Sequence, residues 1–159
     1  MIDQSRRHGK KLESRIDKLQ PFLRDRDLGT RAAISKILGN IGTSEAIGLI
    51  VAALMFTSEK ELNTKCRFSC WSAEPLHYWF ASGIGETKNR ETALVLISLL
   101  DSEHLSASTK SSIMTELSFY DLEFYEVPLP KNVVDILEEL AMSKDKNIAG
   151  GAIRLLGLV

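Results

Sequence analysis

Cys66-x-x-x-Cys70 followed by His77 is the one cluster in this sequence whose residue types and spacing could hold a metal or supply a nucleophile. A zinc site draws four ligands, commonly as two pairs, and the other histidines, His8 and His104, stand far away and isolated. A Cys/His nucleophile pair needs an orienting acid and a local strand–helix elbow, and neither lies beside these residues. The cluster reads as buried free thiols, so no catalytic residue, no metal and no cofactor are expected. Gly39, Gly42 and Gly48 follow no strand and make no phosphate loop. Gly150-Gly151 reads as a close approach of helices rather than a ligand cradle. Nothing here supports an enzyme.

Two aromatic stretches carry more. The first is Phe68, Trp71, His77, Tyr78, Trp79 and Phe80, with both tryptophans of the chain. The second is Phe119, Tyr120, Phe124 and Tyr125, interleaved with Glu116, Asp121, Glu123 and Glu126. Aromatics at helical spacing usually pack in a core, yet Trp and Tyr also dominate binding hot spots. In the second stretch the alternation with acids, in a loop ending at Pro128 and Pro130, works against full burial. Trp71, Tyr78, Glu116, Tyr120, Asp121, Glu123, Tyr125 and Glu126 are the candidate partner-binding residues. Tyr120, Glu123, Tyr125 and Glu126 are expected to be exposed contacts.

Charge is balanced overall and uneven locally. The 159 residues carry a net charge of −1 with 44% hydrophobic residues, enough for a core and far from the excess of a DNA-coating protein. Residues 1–40 hold ten Lys/Arg against five acids, a net of +5, whereas residues 86–126 hold eight acids against three bases, a net of −5. The charged start, MIDQSRRHGKK, lacks the apolar core of a signal peptide. The longest apolar run, 46–56, is about half of the ~20 residues a membrane span needs. With only two cysteines, a cytoplasmic protein outside the membrane is the expectation.

The elements that must position these residues are helices. Apolar residues recur at three and four rather than two: Leu12, Ile16, Leu19 and Leu23, with Pro21 kinking or ending that helix; Ile34, Ile37, Leu38 and Ile41; Ile47, Ile50, Val51 and Leu54. The pattern resumes with Leu76, Trp79, Phe80 and Gly83, then Ala93, Leu96, Ile97 and Leu100, then Ile113, Met114, Leu117 and Tyr120. Val133, Ile136, Leu137 and Leu140, and finally Ile148, Ala152, Leu155 and Leu156, complete it. Residues 60–75 show no pattern, and no strand is expected.

These eight helices form four similar pairs. Ile41-Gly42 recurs as Ile84-Gly85 after 43 residues, and Leu38-Gly39 recurs as Leu156-Gly157 after 118, about three steps of 39. Leu19, Pro21, Leu23, Asp25, Asp27, Arg31, Leu38 and Gly39 stand in one register, echoed by Asp145, Ile148, Ala152, Leu156 and Gly157, with Ser143 at the first Asp place. In that register the chain resembles the HEAT-repeat (HEAT-like/armadillo-type) α-solenoid family. The resemblance implies an all-α fold, a right-handed α-solenoid of about four HEAT-like helix pairs, as a single domain over 1–159 with repeats near 10–42, 43–85, 86–121 and 130–159. It implies a turn-stabilising role for Asp25, Asp27 and Arg31. It also puts the second helix of each pair on the concave side, nominating Arg31, Lys36, Tyr78, Lys110, Glu116 and Arg154 there.

The function expected is non-catalytic protein binding. Small proteins of this kind include bacterial immunity proteins, which occlude a cognate toxin, and an acidic aromatic flank suits a basic toxin or nuclease. The alternatives are a scaffold or adaptor domain or a homo-oligomer, and a HEAT-like enzyme or DNA-binding protein. The net charge and the lack of a basic stripe on the later helices weigh against nucleic acid.

Overall fold

Pro21 marks the first change of geometry. A helical turn over residues 15–19 tightens into a 3-10 stretch, Gln20–Arg24, because the proline ring fixes φ and removes a donor. The computed structural model describes residues 15–67, 72–123 and 125–157. The fold is all-α in class: α1 (Leu28–Ile41), α2 (Ser44–Phe56), the single turn α3 (Glu59–Leu62), α4 (Leu76–Ile84), α5 (Arg90–Leu100), α6 (Ala107–Leu117), α7 (Lys131–Ala141) and α8 (Lys146–Leu156) follow. The expected helical stripes fall on these elements, except that Tyr120 lies past the end of α6 and Leu12 lies outside the described residues. Among the described residues no helix is long and apolar enough to cross a membrane.

The expectation of no strand is corrected. Lys65–Arg67 (β1) and Ala73–Pro75 (β2) pair antiparallel, with Cys66 opposite Glu74. Strands of three residues are too short to show an alternation, and Pro75 sits at the ribbon's end where no ladder donor is needed.

Helix starts are set by short polar side chains. Asp27 caps α1 by accepting from the Gly29 and Thr30 amides, and Asp25 accepts from the Asp27 amide at 2.8 Å. At α8 the same geometry recurs: Asp145 accepts from the Asn147 and Ile148 amides, and Ser143 accepts from the Asp145 amide at 3.2 Å. Arg31 adds a bond from Nε to the Asp25 carbonyl oxygen and one from its Nη2 to Glu61 at 3.1 Å. These three residues of the first pair are therefore engaged in the turn.

α1 packs along α4, α4 along α6 and α6 along α8, so the second helix of each expected pair touches its counterpart in the next. On the other side the 3-10 stretch meets α2 and α5 meets α7. The buried apolar side chains, among them Leu38, Ile50, Phe80, Leu96, Met114 and Leu137, fill the space between these two sets. The α1–α4 contact is the tightest. A Cβ on Gly39 would fall on the Gly83 carbonyl, 2.9 Å from its carbon, and one on Gly83 would lie 2.7 Å from the Ser35 oxygen. Ser35, fully buried, closes the contact with a hydroxyl proton shared between the Ala32 carbonyl of its own helix at 2.8 Å and the Trp79 carbonyl at 3.0 Å.

Candidate functional site

The acidic aromatic stretch folds as a pinned loop after α6. The backbone turns through Tyr120 N–H to Leu117 O and Val127 N–H to Leu122 O, with Leu122 and Val127 buried beneath it. Asp121, Glu123 and Glu126 point outward and are exposed, and Phe119 beside them is 66% exposed. Glu126 takes a positive φ of 52°, which helps turn the chain back toward α7.

What holds this loop is a polar cluster under it. Tyr120 is only 4% exposed; its hydroxyl lies 2.8 Å from Thr92 Oγ1 and donates to the Gly85 carbonyl at 3.4 Å. Burial pushes its phenol up to about 12, opposed by the Thr92 bond and reinforced by the nearby Glu116 charge. Tyr125, half-buried, donates to the Lys88 carbonyl. Lys88 in turn reaches the Gly85 carbonyl at 3.0 Å and pairs with Glu116, and its ammonium sits 5.5 and 5.2 Å from the Phe119 and Tyr120 ring centres. Glu116 itself packs where a Cβ on Gly85 would be, so Gly85 is required for space rather than for a left-handed turn.

Three of the expected contact residues are thereby corrected, and one is Tyr125, expected to be exposed but half-buried against the core with its hydroxyl on the Lys88 carbonyl. Tyr120 was expected to be exposed, but it is in the core, because Thr92 and Gly85 satisfy its hydroxyl there. Glu116 is buried and held by Lys88, so it faces inward. Tyr78 is half-buried, edge-on to Trp79 with centroids 5.3 Å apart. Trp71, Phe68, Cys70 and Phe124 lie outside the described residues. The structure thus brings Asp121, Glu123, Tyr125 and Glu126 together on one loop, with Tyr78 apart on α4. Lys88 went unnoticed in the sequence reading; its only signal was a position three residues past the Gly85 break.

The cysteine and histidine of the opening cluster have structural partners. Cys66 is buried in β1 with its thiol toward the Glu74 carbonyl at 3.7 Å, and burial pushes that thiol up. His77 is buried on α4, its Nδ1 2.9 Å from Ser112 Oγ on α6. Among the described residues no group of three His, Cys, Asp or Glu side chains is placed to hold a metal. Burial lowers the His77 pKa, with Glu59 opposing it more weakly. The unfolded chain then binds a proton that the folded one refuses, so stability is whole above about pH 6.5 and declines as pH falls below it. Denaturant melts of wild type and His77→Asn should show this decline, at most about 1.4 kcal/mol per pH unit, only in the wild type. Parallel pH profiles would contradict it.

Compared with known proteins, the chain matches no family model, no curated protein and no solved structure. Its function must come from its own residues.

Proposed function

We propose that the chain is a non-catalytic protein-binding module that presents the loop 119–126 to a basic partner protein. The observation that carries this reading is the pairing of a fixed base with an exposed tip. Leu122, Val127, Tyr120 and Tyr125 anchor the loop, while Phe119, Asp121, Glu123 and Glu126 face outward. An acidic rim on a pre-ordered loop loses little entropy on binding and steers a positively charged partner. The architecture we infer is a right-handed HEAT-like α-solenoid of four helix pairs. Its support is the succession α1–α4–α6–α8 and the matching Asp25/Asp27 and Ser143/Asp145 caps. The specific role proposed is that of a bacterial immunity-type protein, with the loop covering the basic active-site cleft of a cognate toxin such as a nuclease.

Calorimetric titration against purified basic toxin candidates encoded beside this gene tests the reading. A 1:1 complex is expected, weakened about tenfold or more by a triple change of Asp121, Glu123 and Glu126 to Ser and by raising salt to about 0.3 M. Equal affinity of the triple variant, or no complex with any such product, would reject it.

A further inference from the structure

α2 is apolar over more of its surface than its packing uses. Ile47, Ile50 and Leu54 are buried and form the stripe that a layered helical fold requires. Leu49, Ala52, Ala53 and Phe56 repeat the helical spacing on a second face, turned toward the 3-10 stretch Gln20–Arg24. The first three are half-buried, but Phe56 is 84% exposed. The two alanines stand between the larger Leu49 and Phe56, so this face is hollow, and with Leu23 it borders a pocket of about 260 Å³. An exposed ring beside an open apolar hollow is the kind of surface that a ligand covers.

The polar lining is cationic. Arg31 enters from α1 with its side chain only 11% exposed and its direction fixed, since Nε donates to the Asp25 carbonyl and Nη2 to Glu61 at 3.1 Å. Nη1 has no acceptor among the described residues and is not sealed from solvent, so the fork keeps one nitrogen for the pocket. Arg24, exposed on the 3-10 stretch, is in no ion pair among the described residues. Glu61 is the one acid in the lining, and its oxygens already receive Arg31 and Ser58. Thr57 donates its hydroxyl proton to the Ala53 carbonyl, and Gln20 adds a neutral amide. Two guanidinium charges less one carboxylate leave the lining with one positive charge.

We propose that this pocket binds a small aromatic monocarboxylate, its carboxylate met by Arg31 and Arg24 and its ring lying in the hollow against Phe56. The site shares no residue with the acidic loop. Planar guanidinium groups match a planar carboxylate. One negative charge balances the lining, whereas the second charge of a phosphate monoester would stand uncompensated beside Glu61. The hollow left by two alanines admits a flat ring, and Phe56 offers it an edge-on or offset partner. The volume lies near the lower bound of ligand sites, ~300 Å³, which suits one ring on a short chain. Two sources present this chemistry, a free acid and the C-terminal aromatic residue of a peptide.

The probe is 3-phenylpropionate, titrated into the full chain and followed by the amide resonances of Ala52, Ala53 and Thr57. Saturable shifts at about millimolar concentration or below are expected, with nuclear Overhauser contacts between the ligand ring and the Phe56 ring. The neutral 3-phenylpropionamide should bind about tenfold or more weakly, and phenyl phosphate should bind more weakly than the carboxylate. Phe56→Ala and Arg24→Ala, each at an exposed side chain, should weaken binding about fivefold or more while leaving the melting temperature nearly unchanged. Arg31→Lys keeps the charge and loses the fork, so it too should bind weakly; the other two variants keep the test decisive if this one fails to fold. Tighter binding of acetyl-Gly-Gly-Phe than of the free acid assigns a peptide C-terminus as the source, and weaker binding assigns a free acid. No saturable shift up to about 10 mM, shifts confined to other residues, equal binding of the amide or the phosphate, or unchanged affinity in either alanine variant would overturn the proposal.

Discussion

Gly39→Ala is expected to lower stability by about 4 kcal/mol, moving the melting temperature by roughly 10 °C or more in a chain of this size. The added methyl meets backbone, the Gly83 carbonyl, rather than the end of a flexible side chain. Relief would require α1 and α4 to separate, and that would break the bond from buried Ser35 to the Trp79 carbonyl. Overpacking of an ordinary core site costs about 1–3 kcal/mol because side chains can shift; here the methyl strikes the backbone of Gly83, which has no rotamer to take up. The same chemical change at Gly150 should have the opposite sign. With nothing near its Cβ direction, Gly150→Ala should stabilise α8 by about 0.5–1 kcal/mol. Thermal melts of the two variants side by side decide the matter. A Gly39→Ala protein that melts within about 2 °C of wild type, about half a kcal/mol for a chain of this length, would mean that the two helices do not approach as described.

This contrast also shows what the sequence could and could not disclose. Apolar spacing located the helices, since a buried stripe at three and four leaves few alternatives. It misjudged the buried face of α1. Ile37 belongs to the expected stripe yet is 45% exposed, while Ser35 and Gly39 are buried. A face pressed against another backbone needs small residues, and a hydrophobic pattern is blind to smallness. Similarly, Ile41-Gly42 and Ile84-Gly85 look alike as text. Gly42 is there for a left-handed cap, and Gly85 is there because Glu116 fills the space its side chain would take. For the acidic loop, composition revealed the exposure of Glu123 and Glu126 but not the burial of Tyr120. That burial depends on Thr92 and Gly85, distant in sequence, supplying partners for one hydroxyl.

The pair beneath that loop gives the second large effect. Lys88→Met should cost about 3 kcal/mol, because it strands the Glu116 carboxylate, whose side chain is 8% exposed, without its cation. Lys88 also adopts a positive φ of 45°, a conformation most residues avoid. Adding Glu116→Met to Lys88→Met removes the orphaned charge, and the double variant should recover to within about 1 kcal/mol of wild type, as apolar replacements of buried pairs often do. The coupling distinguishes a carboxylate held for the fold from one held for a partner. If Glu116 served binding alone, the two changes would simply add and the double variant would keep the full loss of Lys88→Met. If it fixes the base of the loop, the cycle shows a coupling of about 2 kcal/mol, and the loss of Lys88 loosens Phe119 and Tyr120 as well. Protection from amide hydrogen exchange is then lost first at residues 119–123 and 125–127, the segment whose order the acidic tip requires.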